Sequence, residues 1–300
     1  MPNYLPRPLA IAILIIAATL FAANHVSARF AFDDGAGLVL ALIARSSVAF
    51  LIMLVLAMVR RQSLRIPVDK RRWQLFLGGF ITLQSLTLYA AVARIPVAIA
   101  LLIINSWPLL YTLLNWMLKG QRPSRLFLSV LIIILIGLVL VLDIPVWLAN
   151  PATLGEDWAF GVFLAAAASV FLALAMWLTN NQLAQLPGSV RSAYTMFIVS
   201  VSLAVSGGAG LIAGGFDLPQ HSQGWLGIVS LALCYGIAST ILFVLVPRLN
   251  IALNAPILNF EPVASLVLSY LILGQVLSFM QLLGGAVVLG GIMLLSLSKT

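Results

Sequence analysis

The chain has 300 residues, 62% of them hydrophobic and only 8% charged, with a formal net charge of +8 at pH 7. Soluble domains carry roughly 25% charged residues, so a water-soluble enzyme or binding module is excluded, and apolar runs separated by short breaks indicate a polytopic helical membrane protein. The basic residues gather in a few of those breaks rather than along one face, which makes them markers of topology and argues against a nucleic-acid partner.

A bilayer span needs about 20 apolar residues, and ten runs qualify. In chain order they are predicted at Leu9 to Val26, Leu38 to Val59, Trp73 to Ala93, Val97 to Leu118, Leu126 to Leu142, Trp158 to Leu178, Ser192 to Ala213, Trp225 to Val246, Ile251 to Leu273 and Val276 to Leu297. The first run carries no small-residue cleavage signal and reads as a span, not a removable leader. The single cysteine, Cys234, lies in an apolar run and has no intramolecular disulfide partner. Arg60, Arg61, Arg65, Lys70, Arg71 and Arg72 fill the break between spans two and three, and Lys119, Arg122 and Arg125 that between spans four and five. Asp33, Asp34, Asp143, Glu156, Asp157 and Asp217 take the opposite breaks. The positive-inside rule then predicts cytoplasmic basic loops and cytoplasmic N and C termini.

An internal repeat runs through this array. Arg94, Ala98, Ile103, Asn105, Pro108, Gly120, Gln121, Ser124 and Gly137 align without a gap with Arg248, Ala252, Ile257, Asn259, Pro262, Gly274, Gln275, Ser278 and Gly291, 154 positions later (248 − 94 = 154). Phe21, Asn24 and His25 align less closely with Trp177, Asn180 and Asn181, at an offset of 156 (177 − 21 = 156). Equivalent spans are five apart, an odd number, so the copies are expected to be inverted in the membrane. The fold expected is therefore all-α, with ten transmembrane helices as two inverted five-helix repeats. The repeats are placed at 1–142 and 158–297, joined by a 143–157 linker rich in turn residues such as Pro145, Asn150, Pro151 and Gly155.

With these features the chain resembles the drug/metabolite transporter superfamily, in its EamA branch. The Phe21 to His25 segment, the polar, proline-bearing fourth and ninth spans around Asn105, Pro108, Asn259 and Pro262, and the glycines closing each copy carry the likeness. Within the superfamily it is most similar to the YddG-type amino-acid exporters. That resemblance implies efflux of aromatic and other apolar amino acids across a bacterial inner membrane.

The residues support a substrate path independently. On span nine Asn250, Asn254, Leu258, Glu261, Ser265 and Ser269 share one helical face, and the equivalent face of span four holds Pro96, Ala100, Ile104, Trp107, Tyr111 and Asn115. Such polar faces are expensive toward lipid. They are expected either to line a shared cavity, with Glu261 and Trp107 at its centre, or to join helices by hydrogen bonds. Pro108 and Pro262 each remove a backbone hydrogen bond, freeing the carbonyls of Ile104 and Leu258, and are expected to act as hinges for alternating access or as packing kinks. Asn24, His25, Tyr89, Asn105, Trp177, Asn181, Tyr235 and Asn259 are further candidates for the binding site, with Gln84 beside them. Arg45 lies below the outer surface; snorkelling is its default role and binding a substrate carboxylate the alternative.

The remaining motifs are structural. Gly210 and Gly214 on span seven, and Gly284 and Gly291 on span ten, form small-residue faces; span ten packs either within the monomer or in a homodimer. The run Gly208 to Ala213 matches a dinucleotide fingerprint only superficially, having no soluble strand before it, so no cofactor is expected. His25 and His221 are far apart, and neither H-E-x-x-H nor G-x-S-x-G occurs. Neither a metal centre nor catalysis is expected. The function expected is a carrier for small molecules, with an exporter of another metabolite or drug, or a channel-like pathway, as alternatives.

Overall fold

Hydrocarbon offers no hydrogen bonds, so each backbone segment crossing it must satisfy its own N–H and C=O groups. The computed structural model describes residues 5–119, 125–141, 157–212, 214–245 and 260–297, and its regular structure is helical throughout. The helices are α1 (Arg7–Asp33), α2 (Leu38–Val59), α3 (Val68–Val92), α4 (Val97–Ile104), α5 (Trp107–Lys119), α6 (Arg125–Val141), α7 (Trp158–Asn181), α8 (Gly188–Gly208), α9 (Ser222–Leu245), α10 (Glu261–Leu273) and α11 (Phe279–Leu297). Among the described residues seven segments are long and apolar enough to cross a membrane, counting α4 and α5 as one. The 17-residue α6, α10 and the Phe279–Gly291 part of α11 are apolar but shorter.

Several elements differ from their predicted form. The first helix runs on to Asp33, about two turns past the apolar run, which lowers Asn24 and His25 from the rim into the interior. Span four is not continuous: α4 stops at Ile104 and α5 starts at Trp107, with Asn105 and Ser106 in a turn between them. The expected glycine face on span seven is absent, because α8 ends at Gly208 and both Gly210 and Gly214 adopt positive φ in the following turn. The last helix is closed at its start by a capping box, in which Gln281 Oε1 accepts from the Ser278 backbone N–H at 2.9 Å and Ser278 Oγ accepts from that of Gln281 at 3.2 Å.

The helices pack in a reciprocal scheme. α1 packs on α9 as α3 packs on α7; α2 on α9 as α8 on α3; α1 on α10 as α7 on α4 and α5; while α2 pairs with α8 and α6 with α11. The two self-paired contacts map onto themselves under the repeat offset. Ser200 Oγ donates to Ser46 Oγ at 2.8 Å. Gly137 lies against Val288, and Gly291 against Ile134, so each copy puts its glycine on the other copy's equivalent side chain. Gly284 also faces Gly137, so the small face of span ten is used within the chain. Without a hydrophobic force between helices in lipid, close approach of small residues supplies the packing energy. α1 follows the same rule, with Ala10, Ala17, Ala18, Ala22, Ala28 and Ala31 buried. Large side chains such as Leu51, Phe76, Phe163 and Leu226 point outward.

Gly137 and Gly290 offer a matched test of this packing. A Cβ on Gly137 would lie 2.8 Å from Val288 Cγ2, whereas one on Gly290 meets nothing within 4 Å. Gly137→Leu is expected to cost about 1–3 kcal/mol through overpacking and to lower the melting temperature in detergent. Gly290→Leu should leave it unchanged; equal shifts would contradict the reciprocal contact.

Candidate functional site

A cavity of about 460 Å³ lies at the centre of the bundle, within the range of roughly 300–1,000 Å³ usual for small-molecule sites. Helices of both halves line it. Phe21 and His25 come from α1, Arg45 from α2, Gln84 from α3, Ile104 from α4 and Trp107 from α5; Tyr235 comes from α9 and Glu261 from α10. Trp107 and Glu261, equivalent under the repeat, thus share one cavity. Asn105 also reaches it, while its Nδ2 donates to the Leu101 carbonyl at 2.7 Å and closes the end of α4.

The break in span four is sealed by side chains. Ser106 Oγ donates to the Ile103 carbonyl at 2.7 Å, and Ser169 Oγ of α7 donates to the Ile104 carbonyl at 3.3 Å. That is the carbonyl that Pro108 deprives of its helical partner. Pro108 therefore stands as the second residue of α5, and Pro262 as the second of α10, positions where a proline needs no N–H partner. Pro108 begins a helix and does not kink a continuous one, and Pro262 stands in the first turn of α10. The Leu258 carbonyl, with Asn250, Asn254 and Asn259, lies outside the described residues.

The polar interior divides into groups that touch the cavity and groups that support them. His25 Nε2 stands 3.6 Å from Glu261 Oε1, and its ring lies 5.3 Å from that of Tyr89. Arg45 is only 4% exposed and does not snorkel. Its guanidinium sits between two rings, 4.8 Å from the centroid of Tyr89 and 4.4 Å from that of Tyr235. Its Nη1 donates to Tyr89 Oη at 3.2 Å and its Nη2 to Ser85 Oγ at 2.7 Å. Tyr89 Oη in turn donates to Asn24 Oδ1 at 2.7 Å. Phe21 packs edge-on against Tyr235, with centroids 5.8 Å apart.

Several sequence candidates are thereby moved off the cavity wall. Tyr89 and Asn24 are fully buried and hold Arg45 from behind. Trp177 packs into a separate cluster around Leu77, Ala175, Leu178 and Leu183. Asn181 Nδ2 donates to the Trp177 carbonyl at 2.9 Å. Tyr111 packs edge-on against Trp107 and accepts from Asn180 Nδ2 at 3.4 Å. Ser265 and Ser269 are buried but turned from the cavity. Conversely, Met53, Met176, Arg191 and Thr195 line the cavity although no pattern in the sequence marked them. Arg191, at the start of a predicted span, carried the one usable signal: a charge where a helix enters the membrane.

The lining reaches Arg191 and Ser192 in the first turns of α8, so the cavity extends toward the end of the bundle that bears the basic loops. The acidic end is closed by interlocked turns. Gly37 N–H donates to the Asp217 carbonyl at 2.8 Å, Leu40 N–H to Gly215 at 2.9 Å and Gln220 N–H to Asp34 at 3.1 Å. Gly35 enters this turn at φ +87°, a conformation natural only to glycine. The Asp34 carboxylate accepts from the His221 backbone N–H at 2.9 Å and lies 2.6 Å from its Nδ1. These bonds hold the Asp34 carboxyl below the usual carboxylate range.

A bundle of apolar helices around an amphipathic cavity is the architecture of a membrane transporter. The chain belongs to the EamA-like transporter family, whose profile matches residues 8–143 and 159–297. A solved crystal structure shares the fold, with a TM-score of 0.63 at 20% identity over 98% of each chain. No curated protein matches the chain.

The acidic-end latch has a definite pH sign. A depressed carboxyl pKa gives stabilisation that is complete above the ordinary Asp value of about 3.9 and lost as pH falls through the lowered value. With Cys234 replaced by Ala, a cysteine at the buried Ala36 should react slowly with impermeant thiol reagents at neutral pH. Adding Asp34→Asn should accelerate that labelling severalfold; an unchanged rate would show that this pair does not hold the end closed.

Proposed function

We propose that this chain is a secondary transporter of a bacterial inner membrane that exports aromatic and other apolar amino acids by alternating access. In this reading residues 1–142 and 158–297 are inverted five-helix repeats joined by a 143–157 linker, and each residue pair 154 apart is related by a pseudo-two-fold axis. The reciprocal helix contacts support it, with the axis passing near the Ser46–Ser200 bond and between Gly137 and Gly291. The observation that carries the transport reading is the cavity shared by the two copies, with Trp107 from one and Glu261 from the other.

The lining fits the substrate class. Trp107, Phe21, Tyr235, Met53 and Met176 offer aromatic and adaptable apolar surface to a side chain, while Glu261 and Asn105 offer acceptors to an ammonium group. With the basic loops and both termini in the cytoplasm, the cavity extends toward the cytoplasm and the Asp34–His221 latch closes the far side. This is the loading state of an exporter. Pro108 and Pro262, each at the start of a helix beside the cavity, serve in this reading as paired points of bending.

Purified protein in liposomes should show counterflow of L-phenylalanine, L-tryptophan and L-leucine, accelerated by the same substrates on the far side. A channel would show no such acceleration. Trp107→Ala removes an aromatic contact worth about 1 kcal/mol, or about fivefold in affinity, so it should weaken transport of tryptophan more than of alanine. Equal loss for both substrates, with normal expression, would remove Trp107 from the binding surface.

A further inference from the structure

We propose that Arg45 is the carboxylate anchor of the cavity, so that the transported class is defined by a carboxylate at one end of an apolar molecule. This rests on the reading of the cavity as the substrate site and deepens it. Arg45 lines the cavity yet is 96% covered, and its bonds go to two neutral acceptors, Tyr89 Oη and Ser85 Oγ. Its Nε is buried with no protein partner, as is the Nδ1 of the neighbouring His25. A guanidinium held away from water is costly unless an anion meets it. The sequence has a single carboxyl within its predicted spans, Glu261, and that group lies against His25.

The surrounding structure fixes the cation without neutralising it. Two tyrosine rings lie 4.8 Å and 4.4 Å from the guanidinium carbon, and the Asn24–Tyr89 bond orients one of them. A planar fork kept in a fixed orientation is preorganised for a carboxylate. Arg45 and Glu261 occupy the same cavity without pairing with each other. A molecule with a carboxylate and an ammonium group answers both charges, while its apolar part meets Trp107 and Phe21.

Three probes of matching bulk separate the charges: L-phenylalanine, 3-phenylpropionate without the ammonium, and phenylethylamine without the carboxylate. Each is tested as a competitor of L-phenylalanine counterflow, or of whichever panel carboxylate the protein carries, in liposomes. In the wild-type protein both carboxylates should compete at least roughly tenfold better than the amine. Arg45→Gln should collapse that preference to near unity at an unchanged melting temperature. Arg45→Lys should preserve the preference with severalfold weaker binding, because the charge survives and the fork does not.

An amine that competes as well as the carboxylates in the wild type, or a preference that survives in Arg45→Gln, overturns the proposal. Should Arg45→Gln fail to fold, the wild-type panel and Arg45→Lys still decide it. A protein that moves 3-phenylpropionate but no amino acid would end the amino-acid reading and leave the anchor standing. One that moves amino acids with the preference untouched by Arg45→Gln would do the reverse.

Discussion

Every polar group in this chain that enters hydrocarbon has to find its partner inside the protein, and that constraint organises the interior. A helix satisfies its own backbone, so most of the chain crosses as helix. The one described break within a span, at Asn105 and Ser106, occurs where serine and asparagine side chains take up the carbonyls it frees. The same rule shapes the charged centre. Arg45, Tyr89, Asn24 and Ser85 form a bonded chain across α1, α2 and α3, which leaves two buried nitrogens without a hydrogen-bond partner, Nε of the cavity-lining Arg45 and Nδ2 of Asn24 behind it.

Packing follows from the absence of a hydrophobic force between helices. Helices that gain little from hiding leucine from lipid gain instead from touching closely, which only small residues allow. Gly137 and Gly291 each take the other copy's branched side chain, and the buried alanines of α1 let it lie directly on α9. Where the contact is reciprocal the residues are alike, as with Ser46 and Ser200. At the cavity the equivalent residues are unlike, Trp107 against Glu261. A scaffold with matching contacts therefore encloses a chemically asymmetric space, apolar on one wall and charged on another.

Much of this was legible in the sequence and some was not. The bounds of α2 were read directly, because Asp34, Gly35 and Gly37 before it and Arg60 after it punctuate an unbroken apolar run. The joint placement of Trp107 and Glu261 followed from the repeat offset. Other readings failed for identifiable reasons. A proline announces that one carbonyl loses its bond, but not whether the helix bends or stops; here Ser169, distant in sequence, makes stopping cheap. Gly210 and Gly214 are spaced as a packing pair, yet the same residues suit a turn of positive φ, and the helix ends first. Tyr89 and Arg45 lie on separate spans, and which of them meets the cavity depends on the rotation of α2 against α3.

What the sequence by itself determined was the membrane setting, the helical class, the repeat and the inward placement of polar residues, since each follows from a local cost that no neighbour can cancel. Only the tertiary structure decided which polar residues support and which are presented. Asn24, Tyr89 and Trp177 turned away from the cavity, while Arg45, Met176 and Arg191 turned toward it. The physical reason is that hydrocarbon demands a partner for each polar group but is indifferent to whether that partner is a side chain or a substrate. The choice is made by helix rotation and the register of small residues, which no single segment specifies.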